Sequence, residues 1–188
     1  RGGLGSAAGQ FDAALAILEH AFGTFEHGRV QRLRVFARYG SCVALFFAGR
    51  DDACRNMLAT VFAHGPSVSD FHYDTTLIAA IIAFDADDFA GAAARARSIC
   101  DHPLCPVAYT CSAHGLLART LVRLGEFDAA LAAGEEAVAR DTGEYLDKFI
   151  ELATIGLAEA RLARGDESGA RTAVATAWAR AFDIPMTD

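Results

Sequence analysis

The amino-acid sequence predicts an all-α protein, an α-solenoid of antiparallel helix pairs, and three observations lead there. Five similar segments begin at Gly9, Gly49, Asp87, Gly125 and Gly165. They recur at intervals of about 38–40 residues, a period that belongs to stacked helical units. The segment after each of these positions carries apolar residues at helical spacing, as in Phe11, Ala14, Leu18 and Ala21, which draws one apolar stripe. Glycine stands at four of the five junctions, where a helix can end on a left-handed residue at least cost. A single unit of this kind cannot bury its apolar face alone, so neighbours stack and share a core.

Taken in order, residues 1–28 supply only the second helix of a unit, a truncated first repeat, and the chain is expected to be a piece of a longer protein. Repeat 2 covers 29–68, repeat 3 covers 69–105, repeat 4 covers 106–143, and repeat 5 with the C-terminal end covers 144–188. Within them, first helices are predicted near 31–48, 70–86, 107–124 and 146–164, and each is followed by its junction and a second helix. Pro66 and Pro103 fall just after second helices, where proline stops a helix without removing an internal bond. Residues 1–188 thus form one array with nine helices.

Small residues recur at matched places. In the first helices they are Cys42, Ala80, Ala118 and Ala158; early in the second helices they are Ala14, Cys54, Ala92, Ala130 and Ala170. A later second-helix position holds Ala21, Ala137 and Ala177, with Val61 and Ile99 in the middle repeats. With the junction glycines, this pattern resembles the tetratricopeptide repeat family. The resemblance implies a right-handed solenoid whose helices approach closely at the small positions. The period is longer than the roughly 34 residues of that family. No tryptophan opens the units, and Asp87 stands where glycine is usual. Longer-period arrays of this sort are similar to those in large bacterial regulators and signalling kinases.

Composition narrows the function classes. The chain is 53% hydrophobic and 22% charged, a globular balance, and its net charge is −7. Residues 101–188 hold 8 Lys+Arg against 14 Asp+Glu, which disfavours a phosphate-neutralising role. The longest uncharged apolar run, Leu77 to Phe84, is far short of the roughly 20 residues that span a bilayer. No basic segment followed by an apolar stretch opens the chain. Five cysteines are read as reduced thiols of a cytoplasmic protein. No phosphate loop, dinucleotide loop, G-x-S-x-G or H-E-x-x-H occurs, so catalysis is not expected.

The family's groove positions, carried over, imply a concave partner-binding face. It takes Phe36, Tyr39, Val43, Phe46 and Phe47 from repeat 2, and Asp74, Leu77, Ile81, Phe84 and Asp85 from repeat 3. Repeat 4 adds Ser112, Arg119, Val122 and Arg123, and repeat 5 adds Leu152, Ile155 and Glu159. The apolar helix around Phe46 can be read as a helix buried on most sides or as an aromatic floor for a partner's anchor. Arg119 and Arg123 share a helix face and could fork onto a carboxylate; an ordinary ion pair with Glu159 is the competing reading. Cys100, His102, Cys105, Cys111 and His114 are possible zinc ligands, but their spacing lacks a C-x₂-C pair, and no metal or cofactor is expected. Arg29, Arg32, Arg34 and Arg38 make a basic patch without the aromatic interleaving of a nucleic-acid surface.

The expectation is a non-enzymatic scaffold that binds a protein, a peptide or another domain of its own chain, with neither nucleic acid nor membrane as partner. The alternative is a ligand-sensing module that controls an attached kinase, transcription factor or protease. Apolar residues at the ends, Phe11, Leu15 and Leu18 and then Val174, Trp178 and Phe182, add the expectation of self-association through uncapped faces.

Overall fold

A computed structural model describes residues 31–63, 70–140 and 151–183, preceded by Ala13, Ala16, Ile17 and His20. Those four are helical; the rest of the predicted N-terminal helix, Pro66 and the start of the fourth predicted first helix lie outside the described residues. Eight helices follow: α1 (Gln31–Phe47), α2 (Asp51–Ala63), α3 (Asp70–Asp85), α4 (Phe89–Cys100), α5 (Val107–Arg123), α6 (Phe127–Arg140), α7 (Glu151–Ala163) and α8 (Glu167–Asp183). No strand occurs among the described residues, whose regular structure is entirely helical. No helix among them is long and apolar enough to cross a membrane.

The chain forms two compact units, residues 1–82 and 83–188, with the boundary inside α3. In the first, α1 packs on α2. Cys42, Cys54 and Leu58 are buried there, and the Cys54 thiol donates to the Cys42 carbonyl at 3.4 Å. In the second unit α4 packs on α5, α5 on α6, α6 on α7 and α7 on α8, and α5 also reaches α7. The core of this unit is made largely of small side chains: Ala93, Ala96, Ala118, Ala130, Ala133 and Ala160 close around Leu117 and Leu121. Alanine lets helix axes come near the low end of the roughly 8–10 Å range, and its rotamer entropy cost on burial is nil.

Four junctions share one backbone design. Gly49, Asp87, Gly125 and Gly165 all have positive φ, of 66°, 59°, 79° and 81°. At each, the N–H of this residue bonds the carbonyl three residues back: Phe46, Phe84, Val122 and Leu162. The next N–H bonds five back, to Leu45, Ala83, Leu121 and Arg161. This is the paired bonding of a Schellman end, and it satisfies carbonyls that the helix leaves open. That next residue then caps the following helix: Arg50, Asp88, Glu126 and Asp166 accept from Cys54, Ala92, Ala130 and Ala170. Two of the caps are completed by a carboxylate. Asp88 accepts from the Gly91 N–H at 2.9 Å and Asp166 from the Gly169 N–H at 2.8 Å. A Cβ at Gly91 or Gly169 would collide with that carboxylate.

A Cβ at Gly49, Gly125 or Gly165 would meet nothing within 4 Å, so the demand for glycine is torsional. Asp87 therefore carries a backbone strain that its counterparts lack. Asp87→Gly is expected to stabilise the protein by about 0.5–1 kcal/mol, the relief of a left-handed L-residue less the added entropy of an unfolded glycine. Gly125→Ala is expected to destabilise by about 1 kcal/mol for the reverse reason. Urea unfolding of the two variants checks both signs.

Candidate functional site

The second unit brings together three of the residues that sequence reasoning placed on the groove separately. Arg119 and Arg123 lie one turn apart on α5. Glu159 on α7 follows Arg119 by the same interval that separates Gly125 from Gly165, and α5 touches α7, so equivalent positions face each other. The Arg119 Nε–H donates to Glu159 Oε1 at 3.0 Å, and Arg123 Nη2 lies 3.9 Å from Glu159 Oε2. The ion-pair reading of the arginines is the one the geometry follows.

Phe84 forms the floor of this cluster. The Arg119 guanidinium carbon lies 4.7 Å from the ring centroid and that of Arg123 5.9 Å, within cation–π range. The ring is held edge-on by Phe89 at 5.5 Å, an aromatic contact across the Asp87 junction. Two guanidiniums share one carboxylate, which leaves the cluster one positive charge in excess. Arg119 is largely enclosed, whereas the Arg123 side chain is 49% exposed and makes only the longer contact with Glu159. Arg123 is thus the member positioned to meet an anion from outside.

Other groove expectations need correction. Leu77 is fully buried and Asp74 nearly so, and Ser112 is fully buried as well. These positions offer no surface; Phe84 too is mostly covered, and presents its ring to the arginines. Helix α3 is apolar nearly all round, so periodicity could not tell its covered side from its open one. In the first unit the Tyr39 hydroxyl donates to Asp74 Oδ2. Val43, Phe46 and Ile81 are half-buried and Phe47 is exposed. Phe46 and Phe47 stack edge-on at 5.3 Å. The Phe36 side chain lies outside the described residues.

Three glycines that sequence reasoning missed set the helix crossings. A Cβ on Gly115 of α5 would collide with the Leu152 carbonyl of α7, and one on Gly156 with the Gly115 carbonyl. A Cβ on Gly134 of α6 would stand 2.8 Å from the Leu157 Cα. The available signal was glycine inside a helix, which costs about 1 kcal/mol against alanine and so implies a packing reason.

Among the described residues no group of three or more His, Cys, Asp or Glu is placed to hold a metal ion. The Cys111 thiol instead donates to the Ala137 carbonyl at 3.1 Å. None of the five cysteines is in a disulfide. Burial pushes the Cys42 and Cys100 thiols up to about 12 and the Cys54 thiol to about 11, so they stay protonated and unreactive near neutrality.

His114 has a buried Nδ1 that makes no hydrogen bond. Burial, then the Arg140 charge, holds its pKa below the usual 6.5, against the opposing pull of Glu136 and Asp101. Below 6.5 the unfolded chain takes a proton that the native chain refuses, so stability falls as pH drops through that window. The urea midpoint is expected to fall between about pH 7 and about pH 5, by less in His114→Gln than in the parent.

Compared with protein-family models, curated proteins and solved structures, the chain gives no match.

Proposed function

We propose that this chain is a tetratricopeptide-like helical array acting as a non-enzymatic binding module for a protein or peptide. The observation that carries the reading is the junction repeated at Gly49, Asp87, Gly125 and Gly165, with the same torsion and the same two hydrogen bonds each time. A chain that turns identically at a near-constant interval presents equivalent helix positions again and again. The packing of α5 on both α6 and α7 agrees with successive first helices standing side by side.

On this reading the first helices of each unit carry its binding surface, and the Phe84, Arg119, Arg123 and Glu159 cluster is the charged part of the second unit's surface. Arg123, half-exposed and over an aromatic ring, suits an acidic side chain or another carboxylate of a bound peptide. The test is an array of acidic and neutral peptides probed with the parent protein, Arg123→Ala and the Arg119→Ala/Arg123→Ala double variant. Acidic peptides retained by the parent should bind each variant about tenfold more weakly, the scale of one charge-assisted contact. Circular dichroism should show the helical fold intact for Arg123→Ala, whose side chain is half exposed, while the double variant, which takes the enclosed Arg119 away from Glu159, should lose some stability as well. Identical peptide profiles for parent and variants would reject the arginines as a recognition element.

A further inference from the structure

Between α7 and α8 lies an open groove of about 690 Å³. Ile155, Ala158 and Leu162 of α7 and Ala170, Val174 and Ala175 of α8 form its apolar wall. Ile155, Leu162 and Val174 are 38%, 58% and 53% exposed, a large apolar surface for three side chains on one patch. Helix α8 meets α7 through Ala173, which shares a core with Leu157 and Ala158. The groove residues of α8, at 167, 170, 171, 174 and 175, fall on a second stripe of the same helix. Among the described residues of the second unit, α7 is the one helix that α8 packs on.

The rim of the groove carries both charges. Glu167 and Arg171 stand one turn apart on the α8 stripe, 72% and 85% exposed, and approach each other only to 3.8 Å. At that exposure and distance the pair contributes little within its own helix. Glu159 also lines the groove, but it is engaged by Arg119.

We propose that this groove is covered by the same groove of a second copy of the chain, in a two-fold dimer with the two α8 helices antiparallel. A surface that pairs with itself across a two-fold axis must hold both members of each pair, because every contact is made twice. This patch does. An exposed acid and an exposed base lie one turn apart, and an exposed apolar side chain, Val174, stands beside an apolar hollow. With the axis midway between them, each Glu167 faces Arg171 of the other copy. The same operation carries each Val174 toward the junction end of the other groove, where Leu162 is exposed. An unrelated helix, or a further stretch of this chain, would need a base and an acid in matching order beside a small apolar face. The α8 stripe of a second copy supplies them by symmetry. Apolar burial gives the affinity, and the two ion pairs fix the register.

The test is sedimentation equilibrium of the 188-residue chain from about 1 μM to about 1 mM, a span that covers weak and moderate dimers. The parent is expected to pass reversibly from monomer to dimer. Val174→Arg, at an exposed position, should raise the dimer Kd at least about tenfold while leaving the unfolding midpoint of the dilute protein in place. Glu167→Arg and Arg171→Glu should each raise it as much, since the symmetry turns one changed residue into two like-charge contacts. An equimolar mixture of those two variants should recover the dimer, because each copy then brings the charge that the other lacks. A pair confined to one helix gains nothing from mixing.

A parent that stays monomeric over the whole range overturns the proposal and leaves the groove to another segment or another protein. A dimer that Val174→Arg leaves intact overturns it too, since a different surface then joins the copies. So does a mixture no more dimeric than its two components, which denies the two-fold pairing of Glu167 with Arg171.

Discussion

Gly115→Ala is expected to destabilise the protein by about 2 kcal/mol, although alanine is the better helix former. Two effects oppose each other at this position. The added methyl favours the α5 helix by about 1 kcal/mol through propensity. It would also sit against the Leu152 carbonyl of α7, backbone against which no rotamer change gives relief. Overpacking of this kind costs about 3 kcal/mol where elements must be pushed apart. The α5–α7 crossing also sets the register in which Arg119 meets Glu159, so the variant should weaken that pair along with the fold. Urea unfolding followed by far-ultraviolet circular dichroism measures the loss. A stabilised variant would mean that α5 and α7 do not cross at Gly115.

Leu77→Ala is expected to cost about 2–5 kcal/mol of stability, the range for removing a fully buried leucine and leaving a cavity. A groove residue would behave differently, with a loss of binding and little change in the unfolding midpoint. Phe47→Ala, at an exposed position on α1, is the matched control and should move the midpoint far less. Equal shifts for the two would place Leu77 at a surface. If Leu77→Ala does not fold, Leu77→Val retains most of the side chain and should shift the midpoint in the same direction by about 1 kcal/mol.

Much of the backbone was legible in the sequence. The junctions were readable because a left-handed residue, the cap after it and the apolar stripe that follows are properties of contiguous residues. The predicted first helix 107–124 is observed as Val107–Arg123, and 70–86 as Asp70–Asp85, differences of a residue at most. Asp87 was legible as a departure from glycine, and its φ of 59° shows that the junction geometry overrides the residue's own preference.

The sequence by itself thus determined the helical class, the interval, the junctions and the small positions of the core, since each depends on local torsion or on a period carried by neighbouring residues. The tertiary structure decided what those helices present. Leu77 and Asp74 turned inward because α3 has no side that its sequence marks for solvent, and Ser112 because α5 is covered by helices on more than one side. Arg119 found Glu159, and Gly115 and Gly156 found each other's helices, because contacts across a whole repeat depend on how close two axes come. That distance is set by side chains from both helices together, and no stretch of one helix encodes it alone.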